Sequence, residues 1–227
     1  MRFIMIDFLK KERLILLLYL FVFATGLAIM FISEKTAIHL FINQHHSSLL
    51  DFFFKLTSHL GEGLFAIGVV ITLLFIRYRY AIIHFLSFAI SGLLAQFFKH
   101  LIFPNCDRPK VVFEGIAELR FIEGIKVASY YSFPSGHTTT AFAIFIAMSF
   151  MVKSNVLKCF FLLCGVLVGY ARMYLSQHFL IDVTFGSLLG TVCAILIFYF
   201  STENKNPKLD LSLSYHIKQV RLKNRVK

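Results

Sequence analysis

His178 and Asp182 stand four residues apart, a spacing that puts two side chains on one face of a helix with Cβ atoms about 5–6 Å apart. Asp182 can then accept a hydrogen bond from one imidazole nitrogen and leave the other facing outward as a nucleophile, the orienting role an acid has in a catalytic triad. A second histidine closes the tetrapeptide Pro134-Ser135-Gly136-His137. As an imidazolium, with an unperturbed pKa near ~6.5, His137 can protonate a leaving oxygen. Lys99, Arg108 (followed by Pro109) and Arg172 add one compact ammonium and two guanidinium forks, which suit the oxygens of a phosphoryl group. Ser135 is a good helix N-cap. Gly136 lets an anion approach the backbone where free N–H groups and the helix dipole favour negative charge. A nucleophile, its orienter, a general acid and an anion clamp together specify phosphoryl transfer.

The elements that must position these groups are apolar. The chain has 227 residues, of which 58% are hydrophobic and 15% charged, with 28 Phe and a mean hydropathy of +0.74. A soluble domain is about 45–50% apolar and about 25% charged, so a soluble globular protein and a disordered chain are both excluded. A membrane-crossing helix needs about 20 mainly apolar residues. Six segments qualify: 14–32, 60–76, 81–98, 138–152, 156–174 and 179–200, the second interrupted near its start by Glu62. The expected fold is all-α, an integral membrane bundle of six transmembrane helices. It occupies residues 1–200 and is followed by a basic cytoplasmic tail, 201–227. The first segment is read as a retained helix, because its apolar run exceeds a signal-peptide core and no A-x-A-like site follows it.

The net charge of +11 comes from 23 Lys and Arg against 12 Asp and Glu. With the N-terminus inside, Arg77, Arg79, Lys153, Lys158 and the tail cations join Arg2, Lys10, Lys11 and Arg13 on the inner side. That distribution supports both termini cytoplasmic and an even number of spans. The basic excess is therefore positive-inside charge and not a nucleic-acid footprint. The small cytoplasmic loops point to a bacterial inner membrane. The third to sixth segments then bring Lys99, Arg108, His137, Arg172, His178 and Asp182 to the outer rim. The outer loops are 33–59, 104–133 and 175–178. In the tail, Leu213, Ile217, Val220 and Leu222 are spaced among basic residues, which fits either an amphipathic helix on the anionic inner leaflet or a solvated tail. Cys159, Cys164 and Cys193 lie in apolar runs and only Cys106 in a polar loop, so there is neither a disulfide framework nor a zinc spacing.

At these motifs the chain resembles the type 2 phosphatidic acid phosphatase family, in the superfamily shared with bacterial acid phosphatases and vanadium haloperoxidases. That family carries K-x6-R-P, P-S-G-H and S-R-x5-H-x3-D. The second is intact at Pro134-Ser135-Gly136-His137. The third is Arg172-x5-His178-x3-Asp182, with Ala171 in place of Ser. In the first, eight residues separate Lys99 from Arg108-Pro109, not six. Each string alone is short; their order and their same-side placement make the set specific. The resemblance implies that His178 attacks phosphorus and forms a phosphohistidine, that Asp182 orients it, and that His137 protonates the leaving group. It further implies that Lys99, Arg108, Ser135, Gly136 and Arg172 hold the phosphoryl oxygens, with no metal and no cofactor. The implied substrate is a lipid phosphate or pyrophosphate, among them phosphatidate, phosphatidylglycerophosphate, undecaprenyl pyrophosphate and the phosphates of lipid A. Glu114, Glu118, Arg120, Glu123 and Lys126, in the loop between the first two motifs, are either head-group readers or solvated side chains. Two rivals are a phospholipid or isoprenoid-phosphate transporter without hydrolysis, which leaves the His178–Asp182 pair unexplained, and a vanadate-dependent haloperoxidase, whose relatives are typically soluble.

Overall fold

The computed structural model describes residues 2–225, which are predominantly helical, with no strand among them. In chain order the helices are α1 (Arg2–Lys11), α2 (Arg13–Ile32), α3 (Lys35–Gln44), α4 (Ser48–Ser58), α5 (Gly63–Ile76), α6 (Tyr78–Phe97), α7 (Pro109–Val112), α8 (Gly136–Met151), α9 (Asn155–Tyr174), α10 (Leu180–Glu203) and α11 (Leu213–Arg225). Among the described residues, four helices are long and apolar enough to cross a membrane: Arg13–Ile32, Tyr78–Ile102, Asn155–Tyr174 and Leu180–Glu203. A fifth span arises if Ser48–Gly61 and Gly63–Ile76, which meet at a 58° bend, count as one. The expected fourth segment forms the 16-residue α8, apolar but about 24 Å long at 1.5 Å per residue, shorter than a full hydrocarbon core. The chain is thus an all-helical integral membrane protein with four or five spans by length and composition.

α8 is the centre of the bundle. Twelve of its 16 residues are buried, so it is apolar all round and has no lipid-facing stripe. α9 and α10 flank it in antiparallel succession. α10 comes within backbone contact because Gly186 and Gly190 carry no side chain: a Cβ at Gly190 would lie 2.3 Å from the Thr139 carbonyl oxygen, and one at Gly186 would lie 2.7 Å from that of Ser135. Small residues one turn apart allow such approach where lipid gives no hydrophobic drive for packing. α2 is the opposite case. Only Ile15, Tyr19 and Gly26 are buried, and Leu17, Leu20, Phe21, Phe31 and Ile32 face outward.

The outer segment 33–59, expected as a loop, is two helices. α3 buries Ile42 and Asn43 on one face, and α4 buries Phe54, Thr57 and Ser58. The Ser47 hydroxyl caps α4 by accepting the Leu50 N–H. Glu62, the interruption in the expected second span, stands at the bend. At the opposite end of the bundle, buried Glu12 pairs with Lys158 across the break between α1 and α2. There too the tail folds back. Arg79 donates to Asp210 from Nε (2.9 Å) and Nη2 (3.0 Å), and the Tyr78 N–H donates to the Leu211 carbonyl at 2.9 Å. In the tail, residues 213–225 form the helix α11, largely exposed; the side chain of Val220 lies outside the described residues.

Candidate functional site

A cavity of about 900 Å³ opens where α6 and α9 end and α8 begins, roofed by α4 and the loop after α7. Lys99, Arg108, Gly136, His137, Arg172 and His178 all line it. Asp182 and Ser135 lie one layer behind.

His178 sits in the short link between α9 and α10, 1% exposed. The Arg172 carbonyl fixes that link by accepting the N–H groups of Gln177 (2.9 Å) and His178 (3.2 Å). Ser176, at φ 52, makes the turn. Asp182 occupies the first turn of α10, where its Oδ2 accepts the Phe179 N–H at 2.9 Å, the reach-back of a capping carboxylate. The same oxygen lies 3.4 Å from His178 Nδ1 and accepts the Ser132 hydroxyl at 2.5 Å. Nδ1 thus faces the carboxylate, and Nε2 is the ring nitrogen left without it. Burial drives the His178 imidazole down to about 3, against the upward pull of Asp182, so the ring is neutral at physiological pH.

The cations arrive from three directions. Lys99 lies in a π-helical turn, Phe98–Ile102, closed by the Phe103 N–H on the Phe98 carbonyl at 2.8 Å. This wider turn belongs to the stretch that gives the first motif its extra length, and Lys99 still faces the cavity, 8% exposed. Arg108 is held by carbonyls: Nε donates to Tyr130 at 2.9 Å and Nη1 to Gln177 at 3.1 Å. Burial lowers its pKa, with Asp182 partly restoring it. Arg172 donates from Nη1 to the Ser58 hydroxyl at 2.6 Å, and its buried Nε has no partner. None of the three has a carboxylate partner among the described residues. An uncompensated buried cation is costly, and with Lys99 and Arg172 buried and Arg108 half-buried on one cavity, the arrangement favours a negatively charged occupant.

Gly136 and His137 open α8, and their N–H groups have no intrahelical acceptor. A Cβ on Gly136 would meet nothing within 4 Å, so the space beside its backbone is open. Gly61, in the turn before the bend, packs on His137: a Cβ there would lie 2.7 Å from the His137 carbonyl. Ser135 does not line the cavity. Its hydroxyl caps α8 by accepting from Thr138, and its N–H donates to the Asp182 carbonyl at 3.0 Å. Ala171, where the family motif has Ser, is fully buried in an apolar cluster with Ile42, Phe54 and Tyr174.

Sequence reasoning missed several contributors. Ser132 and Gln177, bonded to Asp182 and Arg108, are single polar residues in segments without periodicity. His39, within the 33–59 segment expected as an outer loop, is 2% exposed on α3, and its Nε2 lies 3.2 Å from the Ser176 hydroxyl. Asn43, one turn on, donates to the same hydroxyl at 3.1 Å. Together they brace the link that presents His178. Among the loop residues, Arg120 pairs with Asp51, while Lys126 lines the cavity.

Fold and site together define an all-helical membrane protein with a buried histidine on a cavity lined by Lys99, Arg108 and Arg172. The chain belongs to the PAP2 superfamily, whose family model matches residues 80–206. It is 35% identical over 80 residues to the undecaprenyl-diphosphatase BcrC of Bacillus subtilis, an alignment covering 35% of this chain and 40% of that one, so it spans well under two-thirds of that relative. The lipid A 4'-phosphatase of Bacteroides thetaiotaomicron is 25% identical over 187 residues, covering 79% of this chain and 82% of the relative. Among solved structures, a transmembrane PAP2-type phosphatidylglycerolphosphate phosphatase from Bacillus subtilis matches with a TM-score of 0.63 at 25% identity, over 87% of this chain and 98% of that one.

Proposed function

We propose that this chain is a membrane-embedded lipid phosphatase that hydrolyses a phosphomonoester or diphosphate of an amphipathic lipid through a phosphohistidine. The observation that carries this reading is the set of three cations without a carboxylate partner among the described residues, Lys99, Arg108 and Arg172, around a neutral His178 backed by Asp182. In this mechanism Nε2 of His178 attacks phosphorus, and Asp182 holds the ring and stabilises the positive charge it acquires. His137 donates a proton to the leaving oxygen, and the cations with the Gly136 N–H stabilise the equatorial oxygens. Ser135 acts through the cap that fixes Gly136 and His137. The protein cations carry the charge stabilisation, so no metal is required. Binding without hydrolysis would leave a desolvated imidazole–carboxylate pair without a use.

The distribution of Lys and Arg supports six spans, with α8 as a short one, the bent pair as another and both termini cytoplasmic, which puts the cavity on the outer face of a bacterial inner membrane. The Glu12–Lys158 and Arg79–Asp210 pairs at the other end accord with an inner face rich in charge. The test is phosphate release by purified protein in detergent from a panel of lipid monophosphates and diphosphates. Release that disappears in His178→Ala is expected. Tight binding of the same lipids with no release overturns the enzyme reading in favour of a carrier.

A further inference from the structure

Three cations around His178 already match a phosphoryl dianion, yet the cavity wall carries two more. Lys55, half-buried on α4, lies three residues before Ser58, the acceptor of Arg172. Three residues of helix rise about 4.5 Å, so Lys55 stands one turn along the wall from the Arg172 contact, on the same face. Its Nζ rests over Gly124: a Cβ there would lie 3.2 Å away, and Gly124, at φ 78, has a backbone conformation that disfavours any side chain. Lys126, exposed two residues further on, shares the wall, and its carbonyl accepts from Gln177, the neighbour of His178, at 3.0 Å. Neither lysine has a carboxylate partner among the described residues. Glu62, the acid in this wall, is bonded to His59 at 2.8 Å.

We propose that Lys55 and Lys126 form a second anion subsite, one that holds a further phosphoryl group joined through a bridging oxygen to the group transferred, so that the preferred substrate is a lipid diphosphate. This rests on the phosphatase reading above. The Nε2 electron pair of His178 forms the bond to the terminal phosphorus. The bond from that phosphorus to the bridging oxygen breaks, its electrons stay on that oxygen, and His137 supplies the proton. The lipid monophosphate leaves, its oxygens facing the two ammonium groups. Water then attacks the phosphohistidine, releasing inorganic phosphate and restoring the His137 proton.

The experiment compares kcat/KM for farnesyl diphosphate and farnesyl monophosphate with the full chain in detergent. The preference for diphosphate should fall at least about fivefold in Lys55→Gln/Lys126→Gln and be retained in Lys55→Arg/Lys126→Arg; a smaller fall in the glutamine variant overturns the subsite. A second readout needs no turnover. Inorganic pyrophosphate should thermally stabilise the wild type at a concentration at least about tenfold below that needed for phosphate, and the glutamine variant should erase the gap. Equal stabilisation of the wild type by the two anions overturns the subsite. Failure of the wild type to hydrolyse either lipid overturns the phosphatase reading on its own, with the pyrophosphate comparison still deciding the subsite.

Discussion

The Ser132 hydroxyl donates to Asp182 Oδ2 at 2.5 Å, on the same oxygen that faces His178 Nδ1. Ser132 lies two residues before Pro134, so the loop that leads into α8 also buttresses the carboxylate at the start of α10. Removing the hydroxyl leaves Asp182 one donor short and freer to rotate from the imidazole. Ser132→Ala is expected to lower kcat/KM about tenfold, roughly 1.4 kcal/mol, with KM little changed, because the loss falls on orientation of the nucleophile. Steady-state kinetics on a lipid phosphate check it.

His178→Ala deletes the attacking nitrogen, and activity should drop by at least about a thousandfold. In the wild type, rapid quench of labelled substrate into alkaline SDS should trap a phosphoprotein that is stable to base and labile to acid, as phosphohistidine is. A variant that keeps a tenth of the rate removes His178 from the mechanism. Prior treatment with EDTA should leave the wild-type rate unchanged.

The pH dependence of stability follows from two buried imidazoles outside the spans. Burial lowers His39 to about 4 and His178 to about 3, below the ordinary value of 6.5. Between those limits the unfolded chain binds protons that the folded chain does not, so their contribution to stability is complete above about pH 6.5 and shrinks as the pH falls toward 4. Melting temperature in detergent should fall by several degrees from pH 7.5 to pH 5, at about 2–4 °C per kcal/mol for a chain of this size. His39→Gln should lose less over the same interval.

Lys99 tests how far a motif tolerates a changed spacing. Its ammonium is a point charge on a flexible stem, and the π-helical turn keeps it on the cavity wall. Lys99→Ala should cost about 2–4 kcal/mol in kcat/KM, the range for one charge-stabilising donor in a water-poor site. Arg172→Ala should cost at least as much. A Lys99 variant within about threefold of wild type, beside a crippled Arg172 variant, would show that the lysine only anchors α6.

What was legible in the sequence follows a physical divide. His178 and Asp182 could be paired because they are only four residues apart, although His178 stands in the link before α10 and not on its face, and it is the reach-back of Asp182 to the start of α10 that brings the carboxylate to the ring. The apolar segments could be placed because hydrocarbon thickness sets a length. α3 and α4 were not seen, because an amphipathic surface helix of about ten residues fails that length criterion although Ile38, Ile42 and Asn43 carry its period. The π-helical turn was equally hidden: two added residues state that the chain is longer, not where the turn widens. Ser132, Gln177 and the His39–Asn43 brace depend on tertiary contacts over long separations, which no local pattern records. The residue types themselves suggested phosphoryl transfer at the eight motif residues, and the resemblance implied the same roles. The structure assigns Ser135 to the helix cap and the Asp182 carbonyl.

Orientation is testable by chemical labelling. Single cysteines in the 110–132 loop and in the 205–225 tail, in a chain from which Cys106 has been removed, should differ in access to an impermeant thiol reagent. In intact cells or spheroplasts the loop cysteine should react from outside and the tail cysteine only after permeabilisation. The reverse pattern would put the cavity on the cytoplasmic face.

The last prediction concerns the seam between α8 and α10, which holds the two halves of the site in register. Ser135, before α8, donates its N–H to the carbonyl of Asp182 on α10, and Gly186 and Gly190 allow the helices to come that close. A methyl group at 190 would sit 2.3 Å from the Thr139 carbonyl and 2.8 Å from the Ala143 nitrogen, both backbone atoms that cannot rotate away. The helices must separate, which moves the Asp182 carboxylate relative to His137 and leaves voids along α8. Overpacking of this kind costs about 1–3 kcal/mol. The control is Gly68 in α5, where an added Cβ meets nothing within 4 Å. There alanine gains up to about 1 kcal/mol of helix propensity by host–guest measure. Gly190→Ala should therefore lower both melting temperature and kcat/KM, while Gly68→Ala should leave the first unchanged or raised. Equal behaviour of the two variants would show that the seam yields freely and does not set the register of His137 and Asp182.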